Sequence, residues 1–311
     1  MKKRAKVGVV GLTGQSAFLT VERFADPGET ISCGSLMFEP GGKGHNQAVA
    51  CSRMGVDVVF IGAVGNDPNG QICKAAIESE GVKTSLVYKD IPTAYAVIQT
   101  EQSGENTVAV YPGAAGAMKK EDLFSKEIYE ELSSCQYLLV QNELPQECLE
   151  AVFTISKTFG QKVIFNPAPA LNIREEFLRN SELITPNYEE AKKLAGLSEQ
   201  TNVSDEELQQ IFAQKKIKKA IVTLGGKGVL VITTESCYRI PAFHAGVPVD
   251  TTGAGDTFNG FLTGALVSGM DFQEAVKLAV VAAGISVTRK GAVKCIPYFD
   301  EITRAAVNFE T

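Results

Sequence analysis

A glycine-rich segment around Asp256 carries the strongest chemical signal in the sequence. Residues 250–261 read DTTGAGDTFNGF, and a helical pattern begins near Asp256. Glycines let successive backbone N–H groups converge on one point, and a helix N-terminus adds its dipole, so the segment predicts an anion site. A carboxylate beside such a site suits a base that takes a proton from a hydroxyl during phosphoryl transfer. The alternative is that Asp256 only caps the helix.

A second glycine-rich segment, GGKGHNQ at residues 41–47, precedes a predicted helix over 48–54. Its glycines, together with Lys43 and Asn46, suit a polyhydroxylated ligand or a phosphate. It is not a P-loop, because the required earlier glycine and the Ser or Thr after the lysine are missing. A glycine-rich helix entry with a solvated lysine is the alternative.

Two further segments suit a nucleotide. TLGGKG, residues 223–228, follows a predicted strand at 220–224 and could contact phosphates or a ribose at the strand-to-turn edge. Asn187 and Glu190 begin a helix directly after another strand, where Glu190 could hold magnesium-bound water near phosphates. A plain turn at the first segment, and a capping box at the second, are the alternatives.

The secondary-structure pattern predicts the framework for these segments. Short β-rich runs alternate with helical patterns, which indicates βαβ units and a mostly parallel sheet. We predict strands over 6–10, 56–62, 137–141, 162–166, 182–185 and 220–224, and helices over 67–81, 145–159 and 187–195.

Two early stretches break this alternation. A strand-like run covers 31–38, and a hairpin pattern covers 93–100 and 106–111 around a turn at 103–105. Strands inserted there cannot easily join the main sheet, so we predict a small separate sheet that serves as a lid or a dimer surface. Its strands are too few for a core of their own, and we expect one apolar face to bind a second copy. We assign six residues to that face: Ile31, Leu36, Phe38, Ala94, Ala96 and Ile98.

Composition excludes several classes of function. The chain has 311 residues, 44% of them apolar, and a net charge of −6, which argues against nucleic acid as a partner. Its longest apolar runs are shorter than the roughly 18 residues that cross a bilayer, and the N-terminal apolar stretch is too short for a secretory signal. Seven cysteines without a Cys-x-x-Cys pair indicate a reducing compartment, so we expect a cytoplasmic protein.

The motifs together resemble a known family. GGKGHNQAVA, ITPNYEEA, TLGGKG, DTTGAGDTFNG and VTRKGA, in this order, are similar to segments of the ribokinase-like (PfkB-type) carbohydrate kinases, and PGET and NPAPA are most like the ribokinases. The resemblance covers essentially the entire chain. It implies a single α/β kinase domain over 1–311, with a large, mostly parallel sheet sandwiched by helices. Strands inserted at about 14–40 and 92–112 form a small β-sheet lid. It also implies ATP as donor, Mg²⁺, and transfer of the γ-phosphoryl group to a sugar hydroxyl.

The resemblance also implies roles for individual residues. Asp256 is the catalytic base beside an anion hole formed by Gly253, Ala254 and Gly255. The residues that face the sugar, together with Asp256, are Gly42, Lys43, Asn46 and Glu143. Those that contact ATP are Asn187, Thr223, Gly225, Gly226 and Gly228, with Glu190 acting on the magnesium.

A monovalent-cation site, for K⁺, is implied as well. Its ligands, mostly backbone carbonyls, are Asp250, Thr252, Ser286, Arg289 and Gly291. Cys295 stands where ribokinases have a serine, and sulfur is a poor ligand for a hard cation. We therefore expect a weaker K⁺ site.

The chain departs from the family in the sugar clamp. Gly14 and Ser16 replace an Asn and an Asp that hold ribose hydroxyls in ribokinases, so we expect ribose to be a poor substrate. Gly14 also suggests room for a larger substituent. Three functions stay open: an ATP-dependent sugar kinase, including ribokinase proper; a kinase for a nucleoside such as pseudouridine or adenosine; and a catalytically silent sugar-binding regulator, against which the intact Asp256 argues.

Overall fold

Two β-sheets, with helices around the larger one, make up the part of the chain that the computed structural model describes, residues 6–101, 105–198 and 200–306. The predicted turn residues Ser103 and Gly104 lie outside these ranges. The strands are β1 (Lys6–Val10), β2 (Gly14–Val21), β3 (Ser35–Gly41), β4 (Asp57–Gly65), β5 (Lys83–Lys89), β6 (Ala94–Glu101), β7 (Asn106–Tyr111), β8 (Tyr137–Gln141), β9 (Lys162–Asn166), β10 (Leu183–Ile184), β11 (Lys219–Thr223), β12 (Val229–Thr233) and β13 (Cys237–Ile240).

The helices connect these strands and end the chain. They are α1 (Lys43–Arg53), α2 (Pro68–Ser79), α3 (Gly113–Gly116), α4 (Lys120–Leu123), α5 (Lys126–Ser133), α6 (Gln146–Phe159), α7 (Glu175–Asn180), α8 (Tyr188–Ala195), α9 (Asp205–Gln214), α10 (Ala254–Val267), α11 (Phe272–Ser286) and α12 (Phe299–Ala306).

The larger sheet has nine strands in the order β13-β12-β11-β10-β9-β8-β1-β4-β5 within the described ranges. The strands from β11 to β5 in this order are parallel, whereas β12 pairs antiparallel with both β11 and the edge strand β13. The mostly parallel sheet predicted from the sequence is confirmed. The antiparallel edge was not predicted from the strand pattern.

Helices cover both faces of this sheet. Neighbouring strand residues point to opposite sides: Val59 joins the apolar cluster that contains α5 and α6 residues, whereas Phe60 joins the cluster that contains α1, α10 and α11 residues. Because both faces are buried, the central strands have continuous apolar runs and no alternation with polar residues. The result is a three-layer sandwich.

The polar ends of several parallel strands meet at one edge of the sheet. Gln141 ends β8, Asn166 ends β9, and Thr223 ends β11. The carboxyl ends of parallel strands are the usual place for a ligand site in open α/β sheets. All the chemical motifs of the sequence follow this edge or face it.

Helices α1 and α10 approach each other closely beside that edge. A Cβ atom at Gly260 of α10 would lie 2.3 Å from the Ala50 Cβ atom and 2.7 Å from the Gln47 carbonyl oxygen of α1, so only glycine fits there. Helix α1 begins at Lys43, five residues before the predicted start at residue 48, because the chain already turns into the helix at Gly42, which has a φ of 111°. Asn46 and Gln47 therefore lie on the helix that faces α10.

Within the part of the chain that the structure describes, the smaller sheet has four strands in the order β3-β2-β6-β7. This separate sheet confirms the expected lid as part of the fold. Its register corrects the face predicted above, because Leu36 pairs with Leu19 and Phe38 with Ala17, whereas Ala96 pairs with Ser16. Leu36 and Phe38 thus lie on the opposite face from Ala94, Ala96 and Ile98, and Ile31 precedes β3.

The structure also describes the state of the cysteines, the helices that could span a membrane and the clusters that could hold a metal. All seven cysteines are free thiols, and five of them are buried. In residues 6–101, 105–198 and 200–306, we find no helix with the length and apolar character that a bilayer span needs. The same ranges contain no group of three or more His, Cys, Asp or Glu residues placed to hold a metal ion.

Candidate active site

The Asp256 carboxylate lies in the first turn of α10 and is held by two amides from α1. Asn46 Nδ2 donates to Asp256 Oδ2 at 2.8 Å, and Gln47 Nε2 donates to Asp256 Oδ1 at 2.9 Å. Both bonds are formed by amide groups that cannot ionise, so they fix the carboxylate without a permanent ion pair. The N–H groups at the start of a helix have no intrahelical acceptor, and they favour an anion beside Asp256.

Gln47 is itself fixed by a chain of buried amides. Gln141 Nε2 donates to Gln47 Oε1 at 2.7 Å, and Gln47 Nε2 also donates to Asn166 Oδ1 at 3.1 Å. Asn166 Nδ2 in turn donates to the Thr185 carbonyl oxygen at 2.9 Å. The ends of β8 and β9 therefore determine where the Asp256 carboxylate points.

Lys43 and Glu143 form an ion pair at the same edge. Lys43 Nζ lies 3.3 Å from Glu143 Oε1, and the Lys43 backbone N–H donates to Glu143 Oε2 at 3.1 Å. Burial acts to lower the pKa of Lys43, but the attraction of Glu143 and Asp256 outweighs it and the pKa is raised. Burial raises the pKa of Glu143, and Lys43 opposes that shift.

Burial also raises the pKa of Asp256 above the usual range of an aspartic acid. The charge of Lys43 and the hydrogen bonds from Gln47 and Asn46 act in the opposite direction. A raised pKa makes the carboxylate a stronger base than an exposed one.

A cleft of about 380 Å³ opens next to the N-terminus of α10. Its wall includes Ala254 and Gly255, together with five residues that the resemblance assigned to ATP: Asn187, Thr223, Gly225, Gly226 and Gly228. The remaining lining is mostly apolar, with Phe243 and Val280 among its side chains. A slot of this kind suits a flat heteroaromatic ring with its phosphates directed at the helix terminus.

Asn187 and Glu190 form the capping box that was the alternative interpretation of their spacing. Asn187 Oδ1 accepts from the Glu190 N–H at 2.8 Å, and Glu190 Oε2 accepts from the Asn187 N–H at 2.8 Å. Burial raises the pKa of Glu190, and the Asn187 N–H opposes the shift. The box leaves Glu190 Oε1 free of these contacts, and Asn187, the other member of the box, lines the cleft.

The loops before α10 and after α11 meet at Asp250. Its Oδ1 accepts from the Thr252 N–H at 2.9 Å, and its Oδ2 accepts from the Gly291 N–H at 3.0 Å. The Cys295 sulfur lies 3.5 Å from the Ala292 carbonyl oxygen and 3.7 Å from the Thr252 carbonyl oxygen, and burial raises the pKa of this thiol to about 12. The thiol thus stays protonated at neutral pH.

Two other residues implied at this cation site direct their side chains elsewhere. The Ser286 hydroxyl donates to the Ala283 carbonyl oxygen at 2.8 Å, and the Arg289 guanidinium pairs with Glu301. The backbone carbonyl oxygens of Ser286 and Arg289 are therefore the groups that these residues can offer to a cation. The Asp250 N–H donates to the Val287 carbonyl oxygen at 3.2 Å, which places this helix end beside Asp250.

Gly14 does not provide the open space expected from the sequence. A Cβ atom at Gly14 would lie 2.4 Å from the Ala94 carbonyl oxygen and 2.9 Å from the Ala94 Cβ atom. The neighbouring lid strand β6 fills the position, so the expectation of room for a larger substituent was wrong. Ser16, two residues further along β2, is half-buried.

Comparison with known proteins places this architecture in a family. The model of the pfkB family carbohydrate kinases matches residues 4–298. This chain belongs to the pfkB family of carbohydrate kinases. It is 36% identical to the ribokinase of Haemophilus influenzae over 296 residues, which cover 94% of this chain and 96% of that protein. The family expected from the motifs is therefore confirmed, and the chain is a carbohydrate kinase.

Solved structures of pfkB-type kinases share the fold across nearly the entire chain. The crystal structure of ribokinase from Thermotoga maritima superposes with a TM-score of 0.88 at 35% identity, covering 98% of this chain and 100% of that one. Arabidopsis thaliana ribokinase, solved with ribose and ATP, has a TM-score of 0.86 at 27% identity and 99% coverage of both chains.

Some site residues were not found by sequence reasoning. Gln47 lies in α1, whereas Gln141 and Asn166 end β8 and β9. These residues are up to 119 positions apart in the sequence, and no local pattern links them. Phe243 and His244 line the cleft but lie in a loop without a motif. The polar residues that directly follow buried strands were the available signal for the amide chain.

We predict that Gln47→Leu moves the acidic limb of the pH profile of kcat/KM to higher pH. A base acts only when ionised, so activity is present above the pKa of Asp256 and is lost as the pH falls through it. Removing the Gln47 donor withdraws a contact that lowers this pKa, so kcat/KM is lost at a higher pH. We also expect kcat to fall about tenfold, because the carboxylate is less well oriented.

Gln161→Leu is the matched control for this variant. Gln161 donates to the Leu132 and Cys135 carbonyl oxygens, far from Asp256, so its loss affects stability without moving the limb. An unchanged limb in Gln47→Leu would contradict the assignment of Gln47 as a positioning residue.

Proposed function

We propose that this protein transfers the γ-phosphoryl group of ATP to a hydroxyl group of a sugar or sugar derivative, with Asp256 as general base. The observation that carries this proposal is the Asp256 carboxylate, fixed by Asn46 and Gln47 at the N-terminus of α10 between the nucleotide cleft and the Lys43–Glu143 pair. A base and an anion site that share one helix turn are what phosphoryl transfer to a hydroxyl requires.

The step follows from this placement. An Asp256 oxygen accepts the proton of the sugar hydroxyl while that hydroxyl oxygen forms a bond to the γ-phosphorus. The bond from the γ-phosphorus to the bridging oxygen breaks, and ADP leaves. Gly253, Ala254 and Gly255 form the anion hole, since the helix terminus favours the negative charge of the transferring group.

The sugar is oriented by groups that still have hydrogen-bonding capacity. Asn46 donates to Asp256 with its nitrogen, and among the described residues its buried Oδ1 has no partner. We assign Asn46 Oδ1, the Gly42 backbone, Lys43 and Glu143 to the sugar hydroxyls. Lys43 and Glu143 neutralise each other, so they offer a donor and an acceptor without net charge.

The nucleotide and its metal occupy the neighbouring cleft. We assign ATP to Asn187, Thr223, Gly225, Gly226 and Gly228, which line it. Magnesium needs few protein ligands when phosphates supply the others, so the single half-buried carboxylate of Glu190 fits. Mg²⁺ would neutralise phosphate charge; Glu190 would hold its water.

Residues 1–311 form, on this proposal, a single kinase domain in which lid segments at about 14–40 and 92–112 cover the sugar. The protein acts in the cytoplasm, which the seven free thiols support, since thiols persist in a reducing compartment. A nucleoside kinase loses its main support, because Ala94 fills the space that Gly14 was expected to leave for a base.

The experiment that tests the function is coupled ADP release over a panel of pentoses, hexoses and nucleosides. We expect phosphorylation of at least one sugar, with kcat/KM for ribose below about 10⁴ M⁻¹s⁻¹, a value ordinary for a true substrate. Ribose above that value would identify a ribokinase proper. Turnover of nucleosides alone would identify a nucleoside kinase, and binding of a sugar without turnover would identify a silent regulator.

We predict that Asp256→Asn lowers kcat by about 10²- to 10⁴-fold, because the base is lost while the side chain keeps its size. Affinity for ADP, measured by calorimetry, should stay within about threefold. The matched control is Asp271→Asn, since Asp271 caps α11 through the Gln273 N–H and lies outside the site. More than a tenth of the original kcat in Asp256→Asn would refute its role.

We also propose a K⁺ site at the loops that meet at Asp250. Its ligands are the Asp250 carboxylate and carbonyls of Thr252, Ser286, Arg289 and Gly291, next to Cys295. The support is that Asp250 already binds the Thr252 and Gly291 N–H groups, so the loops converge. K⁺ would hold these loops in place beneath the α10 terminus, and the protonated Cys295 thiol makes the site weak.

We predict that replacing tetramethylammonium chloride by KCl at constant ionic strength raises kcat/KM. Cys295→Ser should lower the K⁺ concentration at half activation, because a hydroxyl oxygen suits a hard cation better than sulfur. Cys237→Ser, on the edge strand β13, should leave it unchanged. Equal rates in the two salts would rule out the site.

We propose, finally, that the lid forms a homodimer. Val108 and Val110 of β7 are 55% and 58% exposed and share a face with Met37, which is 41% exposed. Such an apolar face on a four-stranded sheet favours burial against a second copy.

We predict a dimer of the 33.3 kDa chain in sedimentation at micromolar concentration. Val108→Asp should shift it to monomer, because a desolvated charge would oppose the contact. Leu171→Asp, at a side chain that is 62% exposed outside the lid, should remain dimeric. A monomer in the unmodified protein would refute this proposal.

A further inference from the structure

The Glu39 carboxyl group, near the end of lid strand β3, is buried without a partner. Glu39 is 4% exposed, and among the described residues neither of its carboxylate oxygens has a hydrogen-bond partner. Buried carboxylates are ordinarily paired or hydrogen-bonded, because desolvation of an isolated charge is costly. The group therefore points to a ligand that supplies the missing donors.

Glu39 faces the same side as the proposed sugar site. A Cβ atom at Gly41, two residues further along β3, would lie 3.4 Å from Asn46 Oδ1. Side chains two residues apart in a strand share a face, so Glu39 lies on the face that looks toward Asn46. Asn46 in turn holds Asp256.

The residues beside Glu39 in the neighbouring strands have small side chains. Glu39 pairs with Ser16 of β2, and Ser16 pairs with Ala96 of β6. Directly opposed residues place their Cβ atoms about 4.5–5.5 Å apart on one face, so two small side chains flank the Glu39 carboxylate. Ser16 is also the position at which the resemblance led us to expect an aspartate.

On its other side, Glu39 lies against the loop that supports α10. A Cβ atom at Gly291 would lie 3.1 Å from Glu39 Oε2 and 3.3 Å from Oε1. The next residue, Ala292, packs against Gly253, where a Cβ would lie 2.7 Å from the Ala292 carbonyl oxygen. The carboxylate is thus enclosed between the lid face and the base of the proposed anion hole.

One observation favours a hydroxylated ligand over a metal ion shared with the neighbouring loop. Both Asp250 oxygens already accept backbone N–H groups, so the Asp250 carboxylate is held by its own loops and does not turn toward Glu39.

We propose that Glu39 anchors the sugar, its two oxygens accepting hydrogen bonds from two adjacent hydroxyls other than the one that reacts at Asp256. This inference rests on the proposed function and narrows its substrate class to sugars with a vicinal diol. The carboxylate comes from the strand beside Ser16 on a side chain one methylene longer than aspartate. The Glu39 carboxylate therefore reaches a different pair of sugar hydroxyls than an aspartate at position 16 would reach. The preference among sugars consequently differs from that of an enzyme with aspartate at position 16.

The first test compares Glu39→Gln with Glu101→Gln, using the best sugar of the panel. Glu101 lies at the far end of β6 and accepts from the Phe24 N–H, away from the site. Glu39→Gln should raise KM for the sugar about 10- to 100-fold, since hydrogen bonds to a charged acceptor are lost. KM for ATP and half-activating K⁺ should stay within about twofold, and Glu101→Gln should behave like the unmodified protein.

The second test moves the carboxylate. Glu39→Ala should abolish the preference for the sugar over its monodeoxy analogues, because the anchoring acceptor is gone. Adding Ser16→Asp to Glu39→Ala should raise kcat/KM for ribose at least tenfold, since the opposed position returns a carboxylate to the same face. Thermal unfolding of each variant verifies that the fold persists.

Three results would overturn the inference while the kinase function stands: an unchanged sugar KM in both Glu39 variants, no gain from Ser16→Asp, or a shift confined to K⁺ activation, which would make Glu39 a cation ligand. Absence of sugar phosphorylation by the unmodified protein would instead overturn the proposed function, and this inference with it.

Discussion

The contact between α1 and α10 is the constraint on which the site depends. Asp256 begins one helix, and the two amides that hold its carboxylate belong to the other. Those hydrogen bonds, at 2.8 and 2.9 Å, require the helix backbones to approach as closely as Gly260 permits. A side chain at position 260 would separate the helices and draw the amides away from the carboxylate, so a residue without any polar side-chain atom determines the geometry of the proposed base.

Charge at the site is balanced around a single lysine. Lys43 attracts Glu143, Asp256 and Glu190, and burial raises the pKa of each of these three carboxyl groups. Without the lysine, desolvation would favour protonation of all three near the place where a base is needed. The lysine thus opposes the rise in the pKa of all three carboxyl groups.

Local patterns predicted the parts of the molecule that local sequence determines. The mostly parallel sheet, the small separate sheet and the glycine-rich segments are visible as apolar runs, turns and motifs, and the family followed from the motifs. The amide chain through Gln47, Gln141 and Asn166 was not predictable, because it depends on which strands are neighbours in the sheet. Glu39 was missed for a similar reason. Its burial arises from its pairing with Ser16 and from its contact with Gly291, which lies 252 positions later in the sequence. The face of the lid was assigned wrongly because strand alternation shows which residues share a face within one strand but not across strands.

The lid is attached to the body at one end of its strands. Gly14 pairs with both Gly41 and Ala94, and each of these residues continues directly into the large domain. From there β2 and β6 run side by side through eight residue pairs to Val21 and Glu101. At about 3.3 Å per residue, the paired strands are roughly 23 Å long. A rotation of the lid by about 10° about the glycine end would displace the tip by about 4 Å. Side chains near the attached end of the strands, such as Ser16 and Glu39, would move by less than about 1.5 Å in the same rotation. Such a rotation would therefore move the tip of the lid while the polar base kept nearly constant distances to the large domain.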